Sequence, residues 1–153
     1  MKEMLIEFER IFNKNEDTVK ATSQEILELE AKHGIKLSSQ HVELITTIGN
    51  IHTPILANLV EGAESELPDI QQFWSIEEIL FDKQNEWTAN MPPEIIPFAS
   101  DRMGNTLFYS IEHPQIWLIN HDFEQSRIVC DSLDELLRNF LVLVRKLVRA
   151  NQA

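Results

Sequence analysis

Apolar side chains recur every three or four residues at both ends of the chain, and runs of β-forming residues fill the stretch before the last helix. In residues 2–13, Met4, Leu5, Phe8, Ile11 and Phe12 fall at helical spacing. "TSQEILELEAKHG" (22–34) reads as a capped helix. Thr22 and Glu25 form a capping-box pair, Ile26, Leu27 and Leu29 supply an apolar stripe, and Gly34 supplies a stop. "SSQHVELITTIG" (38–49) opens on a serine cap, sets Val42, Ile45 and Ile48 on one side and ends at Gly49. Its β-branched residues lower its helix propensity, yet the pattern predicts a third helix.

"IHTPILANLVEG" (51–62) reads as extended, with Pro54 confining it to an edge or the start of a strand. "EGAESELPDIQQ" (61–72) reads as an acidic loop. In "SIEEILFDKQNEW" (75–87), Ser75 and Glu78 repeat the capping box and predict a short helix. After Pro92-Pro93 come four β-like runs, Ile95–Ala99, Thr106–Ile111, Ile116–His121 and Arg127–Cys130. Short, turn-rich links between them predict an antiparallel meander. A third capping box, Ser132 with Glu135, opens a closing helix with Leu133, Leu136, Leu137, Phe140, Leu141, Val144 and Leu147 on one broad face. Arg145, Lys146 and Arg149 fall in its last turns, where cations suit the helix dipole. The pattern predicts an α+β fold: a central antiparallel β-meander packed by N-terminal helices and a long C-terminal helix, in one domain over 1–153.

Composition adds one asymmetry. The chain has 153 residues and a formal net charge of −12. Residues 51–100 hold nine acids against one base, Lys83. This argues against direct nucleic-acid binding, which needs cations to displace counterions. It fits either a solvated surface or a docking face for a basic partner. Glu61, Glu64, Glu66 and Asp69 crowd one loop, with Asp82 and Glu86 nearby, and these six are the candidate partner-binding acids. No apolar run reaches the roughly 18 residues of a membrane span. Three acids among the first nine residues argue against a secretory signal, and a single cysteine, Cys130, suits a reducing cytoplasm.

Catalytic chemistry finds little footing. There is no Gly-x-Ser-x-Gly, no His-x-x-x-His pair and no phosphate-cradling glycine run, so no catalytic residue, metal or cofactor is expected. Cys130 ends a predicted strand and reads as packed. Trp74, Trp87 and Trp117 stand among acids or apolar residues and read as core. The polar hinge Asp101-Arg102-Met103-Gly104-Asn105, between two β-like runs, has a turn role for most of its members. Asp101 can accept backbone hydrogen bonds, and Gly104 and Asn105 tolerate positive φ. Arg102 is left over as a candidate for an outside contact.

The order of these pieces resembles the SUKH superfamily of bacterial toxin-immunity proteins and fungal cell-wall-assembly regulators. Glu30 and Gly34 fit its early Glu-x-x-x-Gly, and Leu37, Leu44 and Ile45 keep its apolar frame. Ser38 stands where proline is usual, His41 replaces a tyrosine, and Ile48 precedes Gly49. Trp74 in "FWSIEEI" matches a tryptophan before the central helix. "IPFASDRMGN" (96–105) matches the signature I-P-F-A-x-D-x-x-G-N, followed by Phe108, Tyr109 and the strand "IWLINHD" with Trp117. In the closing "VCDSLDELL", Leu133 and Leu136 replace aromatics. The resemblance implies a non-enzymatic α+β protein that neutralises a cognate polymorphic toxin, often a nuclease or deaminase, by tight binding. An acidic inhibitor fits the basic cleft of a nuclease-type toxin. It also implies that Gly34, Gly49, Trp74, Asp101, Gly104, Asn105 and Trp117 serve the fold. The alternative is a non-catalytic regulatory or scaffold adaptor binding a cellular protein. A homodimer is left open.

Overall fold

The computed structural model describes residues 1–12, 18–53, 58, 60, 66–84, 92, 94–120 and 125–152. Among them run α1 (Lys2–Phe12), α2 (Ser23–His33), α3 (Ser39–Thr47), β1 (Ile70–Phe73), α4 (Ile76–Lys83), β2 (Ile95–Asp101), β3 (Thr106–Ser110), β4 (Ile116–Asn120), β5 (Gln125–Cys130) and α5 (Leu133–Gln152). The strands form one sheet in chain order, β1 to β5, every neighbouring pair antiparallel. The class is α+β.

Helix starts follow local chemistry. The Thr22 hydroxyl accepts the Glu25 N–H at 3.2 Å while the Glu25 carboxylate takes the Thr22 N–H at 3.0 Å. Ser75 and Glu78 reciprocate likewise at 3.2 and 3.1 Å. At α5 the Ser132 hydroxyl accepts the Glu135 N–H, but the Glu135 carboxylate reaches one residue further back, to the Asp131 N–H at 2.8 Å. The helix expected over 75–87 stops at Lys83, with Gln84 as its cap.

Two expectations for the middle of the chain need correction. Ile70–Phe73 is a strand, although residues 61–72 read as an acidic loop. Its Gln-Gln centre gives little local signal, and pairing with β2 through Ile70↔Asp101, Gln72↔Ser100 and Phe73↔Ala99 imposes the extended state. Of the segment expected to be extended from Ile51 to Gly62, the described residues 51–53 run alongside β1. There the Thr53 N–H donates to Gln71 O at 2.7 Å and the Phe73 N–H to Ile51 O at 3.0 Å, covering the outer edge of β1. Asn58 and Val60 have helical backbone instead, and Pro54 lies outside the described residues.

The core lies on one side of the sheet. Phe73, Ile96, Phe98, Leu107, Tyr109 and Ile116 meet Leu5, Phe8, Leu44, Ile45, Leu136, Leu137 and Phe140 from the helices. Period-2 alternation puts Phe108 on the other face, opposite Trp117, which in turn lies opposite Ile128. Trp117, expected in the core, is therefore half-buried on the outer face, and Trp74 is half-buried against the core edge. Trp87 lies outside the described residues.

Aromatic rings cross the core in sequence. Centroids are 5.8 Å apart for Phe8–Phe73, 6.4 Å for Phe73–Phe98, 5.9 Å for Phe98–Tyr109 and 5.4 Å for Tyr109–His41. His41 is fully buried, its Nδ1 2.7 Å from the Tyr109 hydroxyl. That hydroxyl also accepts the Ser38 N–H at 3.0 Å, so it joins the start of α3 to β3. Burial pushes His41 down to about 3 and Tyr109 up to about 12.

The 101–105 hinge is a closed turn. Asp101 Oδ1 accepts the N–H groups of Met103 and Asn105 at 2.9 and 2.8 Å, and Oδ2 accepts Asn105 Nδ2 at 2.9 Å. Gly104 has φ 82° and donates its N–H to Asp101 O. A second tight place is Gly49, at φ 64°, where a Cβ would lie 2.1 Å from the Val19 carbonyl oxygen.

Four outcomes follow for stability. His41 binds a proton readily only when unfolded, because its folded pKa is depressed. Its contribution is complete above pH 6.5 and is lost as pH falls from there toward 3. Between pH 8 and 5 it alone removes about 2 kcal/mol. Urea melts across this range should show a shallower acid slope for His41→Phe than for the wild type, and parallel slopes would refute the assignment. Gly104→Val should cost about 1–3 kcal/mol, and Gly49→Ala more, since it adds steric overlap with backbone to the same φ strain. Arg102→Ala, an exposed change, should stay within about 0.5 kcal/mol.

Candidate functional site

Two features flank β1. The first is the corner where β1 begins against the end of β2. Ile70 pairs with Asp101, so Asp69 lies beside the 101–105 turn. Partial burial and then the Asp101 charge raise the Asp69 carboxyl above its ordinary value. The charge and backbone N–H of Arg102 pull it back in part. The Arg102 guanidinium also donates to Asn58 Oδ1. Met103, at the tip of the turn, is 73% exposed, and Glu66 is exposed three residues before Asp69. Of the sequence-predicted partner residues, the structure thus joins Asp69 and Arg102 at this corner.

The second feature is a cleft between β1 and α4, of about 560 Å³, lined by Gln72, Trp74, Glu77, Glu78, Phe81 and Asp82, with Ser100. Helix periodicity builds it. Ile76 and Ile79 are buried in the core, which turns Glu77 with Phe81, and Glu78 with Asp82, into pairs four residues apart along the cleft side. Gln72 Nε2 donates to both Glu78 carboxylate oxygens, at 2.9 and 3.2 Å. Burial pushes Asp82 up to about 6, opposed by the Lys83 charge. Lys83, the one base between residues 51 and 100, donates its ammonium to Ile95 O at 2.9 Å. Phe81 is 75% exposed, and sequence reasoning missed it. The signal was present: in "IEEILFDK" it falls off the stripe set by Ile76, Ile79 and Leu80.

A third concavity, of about 490 Å³, lies on the outer sheet face around Ile95, Phe108, His113 and Trp117. Glu61, Glu64 and Glu86 lie outside the described residues. Gly34 caps α2 and donates its N–H to Glu30 O at 3.0 Å.

Cys130 is buried, its S–H donates to Ser132 O at 3.3 Å, and burial pushes the thiol up to about 11, so little thiolate forms at neutral pH. Among the described residues no three His, Cys, Asp or Glu side chains gather to hold a metal ion, and no helix is long and apolar enough to cross a membrane. Aromatic rings beside carboxylates, in a cleft with a single neighbouring base, suit a cationic partner group.

A comparison with curated proteins returns no match. The model of the SMI1 / KNR4 family (SUKH-1) matches residues 20–139, from the approach to α2 through the whole sheet and into α5. With well over half of the sequence matched, and with the turn and both β1 features inside the match, the chain belongs to the SMI1 / KNR4 family (SUKH-1).

Proposed function

We propose that the protein is an immunity protein that binds a cognate toxin domain with a basic, nuclease-type surface and blocks it. Family membership supports a toxin-immunity or SMI1/KNR4-type role in general. The observation that favours a basic partner is the acidic character of the surface around β1. Asp69 precedes the strand, Glu77, Glu78 and Asp82 follow it, and residues 51–100 contain one base against nine acids. The net charge of −12 exceeds the magnitude of about 2–8 that solubility asks of a small domain. Opposed fields raise encounter rates by roughly 10–10³-fold and exclude wrong partners.

The adaptor reading has its own support in the outer sheet face, where Phe108, Trp117 and Ile128 form a row free of charge that fits a neutral partner. Salt separates the two. With a candidate basic toxin domain as partner, stopped-flow association should slow steeply as ionic strength rises, because the Debye length falls from about 10 Å at 0.1 M to about 3 Å at 1 M. Reversing Glu64 and Glu66 to lysine should slow association about tenfold or more while leaving the melting temperature nearly unchanged. Co-expression should protect cells from the toxin. A salt-independent on-rate, or toxin activity undiminished at saturating protein, would exclude this reading.

A further inference from the structure

We propose that the cleft between β1 and α4 is an arginine socket, which receives one guanidinium from the surface of the partner protein between Trp74 and Phe81. The inference rests on the reading of the protein as a binder of a basic partner, and it names the anchor of that contact.

The geometry carries it in three steps. First, Phe81 is 75% exposed on a helix whose Ile76 and Ile79 are buried. An exposed ring beside half-buried Trp74, across a cleft of about 560 Å³, presents aromatic surface to a visitor and not to the core. Second, Glu77, Glu78 and Asp82 line the same cleft. The Glu78 carboxylate already takes the Ser75 N–H and Gln72 Nε2, but an apolar occupant would still strip water from Glu77 and from the cleft side of Asp82, so a positively charged occupant costs less. Third, Lys83 is held on the Ile95 carbonyl at 2.9 Å. The partial burial that raises Asp82 is relieved when a cation arrives.

The choice among cations follows from shape. A metal ion needs ligands converging on one point, and no such group gathers among the described residues. Lysine offers a compact, strongly hydrated charge. Arginine offers a plane that stacks on aromatic rings and a fork that pairs with carboxylates at the same time, and it sheds water more readily. The cleft supplies both complements.

The test uses the whole protein and two neutral-ended probes, acetyl-tetra-arginine amide and acetyl-tetra-lysine amide. Calorimetry should show tighter binding of the arginine peptide. The Trp74 indole N–H resonance, assigned through its loss in Trp74→Phe, should shift during the titration. Phe81→Ala keeps every charge and, being a surface change, keeps the fold. It should weaken arginine-peptide binding about tenfold, and Phe81→Tyr should restore it. Equal affinity for the two peptides, an unmoved Trp74 resonance, or undiminished binding by Phe81→Ala would each overturn the socket. The two readings fail separately. If Glu64/Glu66 reversal slows toxin association but Phe81→Ala changes neither peptide nor toxin binding, the socket falls and the immunity reading stands. If the socket binds arginine peptide but no basic toxin is bound, the reverse holds.

Discussion

The architecture depends on one constraint: a five-stranded sheet whose helices α1, α3 and α5 pack together against a single face. Strand alternation then assigns every side chain a fate. Along β3, Leu107 and Tyr109 enter the core, while Phe108 points to the opposite side. The file of rings from Phe8 through Phe73, Phe98 and Tyr109 to His41 runs from α1 across three strands to α3. It ties the layers laterally, each ring pair adding roughly 0.5–1.5 kcal/mol beyond burial. With one face committed to packing, the outer face, the turns and the cleft beside α4 lie outside the core.

Burial treats the two signs of charge alike, and the molecule shows both cases. His41 and Asp82 are each pushed toward neutrality by desolvation. His41 is sealed between Tyr109 and Phe98, so its charged form is reached only by unfolding. Asp82 lines a cleft open to solvent, so its charged form can be stabilised by something that arrives. The same physical penalty yields a stability cost in one place and a binding opportunity in the other.

Much of this was legible in the sequence, where the signal is local. The capping pairs Thr22/Glu25 and Ser75/Glu78 mark helix starts within four residues, and the structure makes both reciprocal bonds. Three of the four predicted strands begin at the residue expected, Ile95, Thr106 and Ile116. What escaped depends on pairing. Ile70–Phe73 has two glutamines at its centre and becomes a strand because β2 lies beside it. β5 starts at Gln125, two residues before the apolar signal, because β4 extends its ladder through Asn120↔Gln125. Trp117 was misassigned for a related reason: a period of two gives alternation but not which face meets the helices. The cleft was half-visible. Asp82 stands out by its charge, while Phe81 stands out only once the stripe of Ile76, Ile79 and Leu80 is set against it.

The contact between α1 and α5 has a consequence for how the protein is made. Glu7 and Arg145 pair across the two helices at 3.0 Å, although 138 positions separate them in the chain. The meander between is built of neighbours in sequence and can pair as it leaves the ribosome. Its inner face can meet α1 and α3 early but lacks the cover of α5 until that helix is translated. At about 5–20 residues per second, the interval is several seconds during which Phe73, Phe98 and Leu107 lack part of their cover.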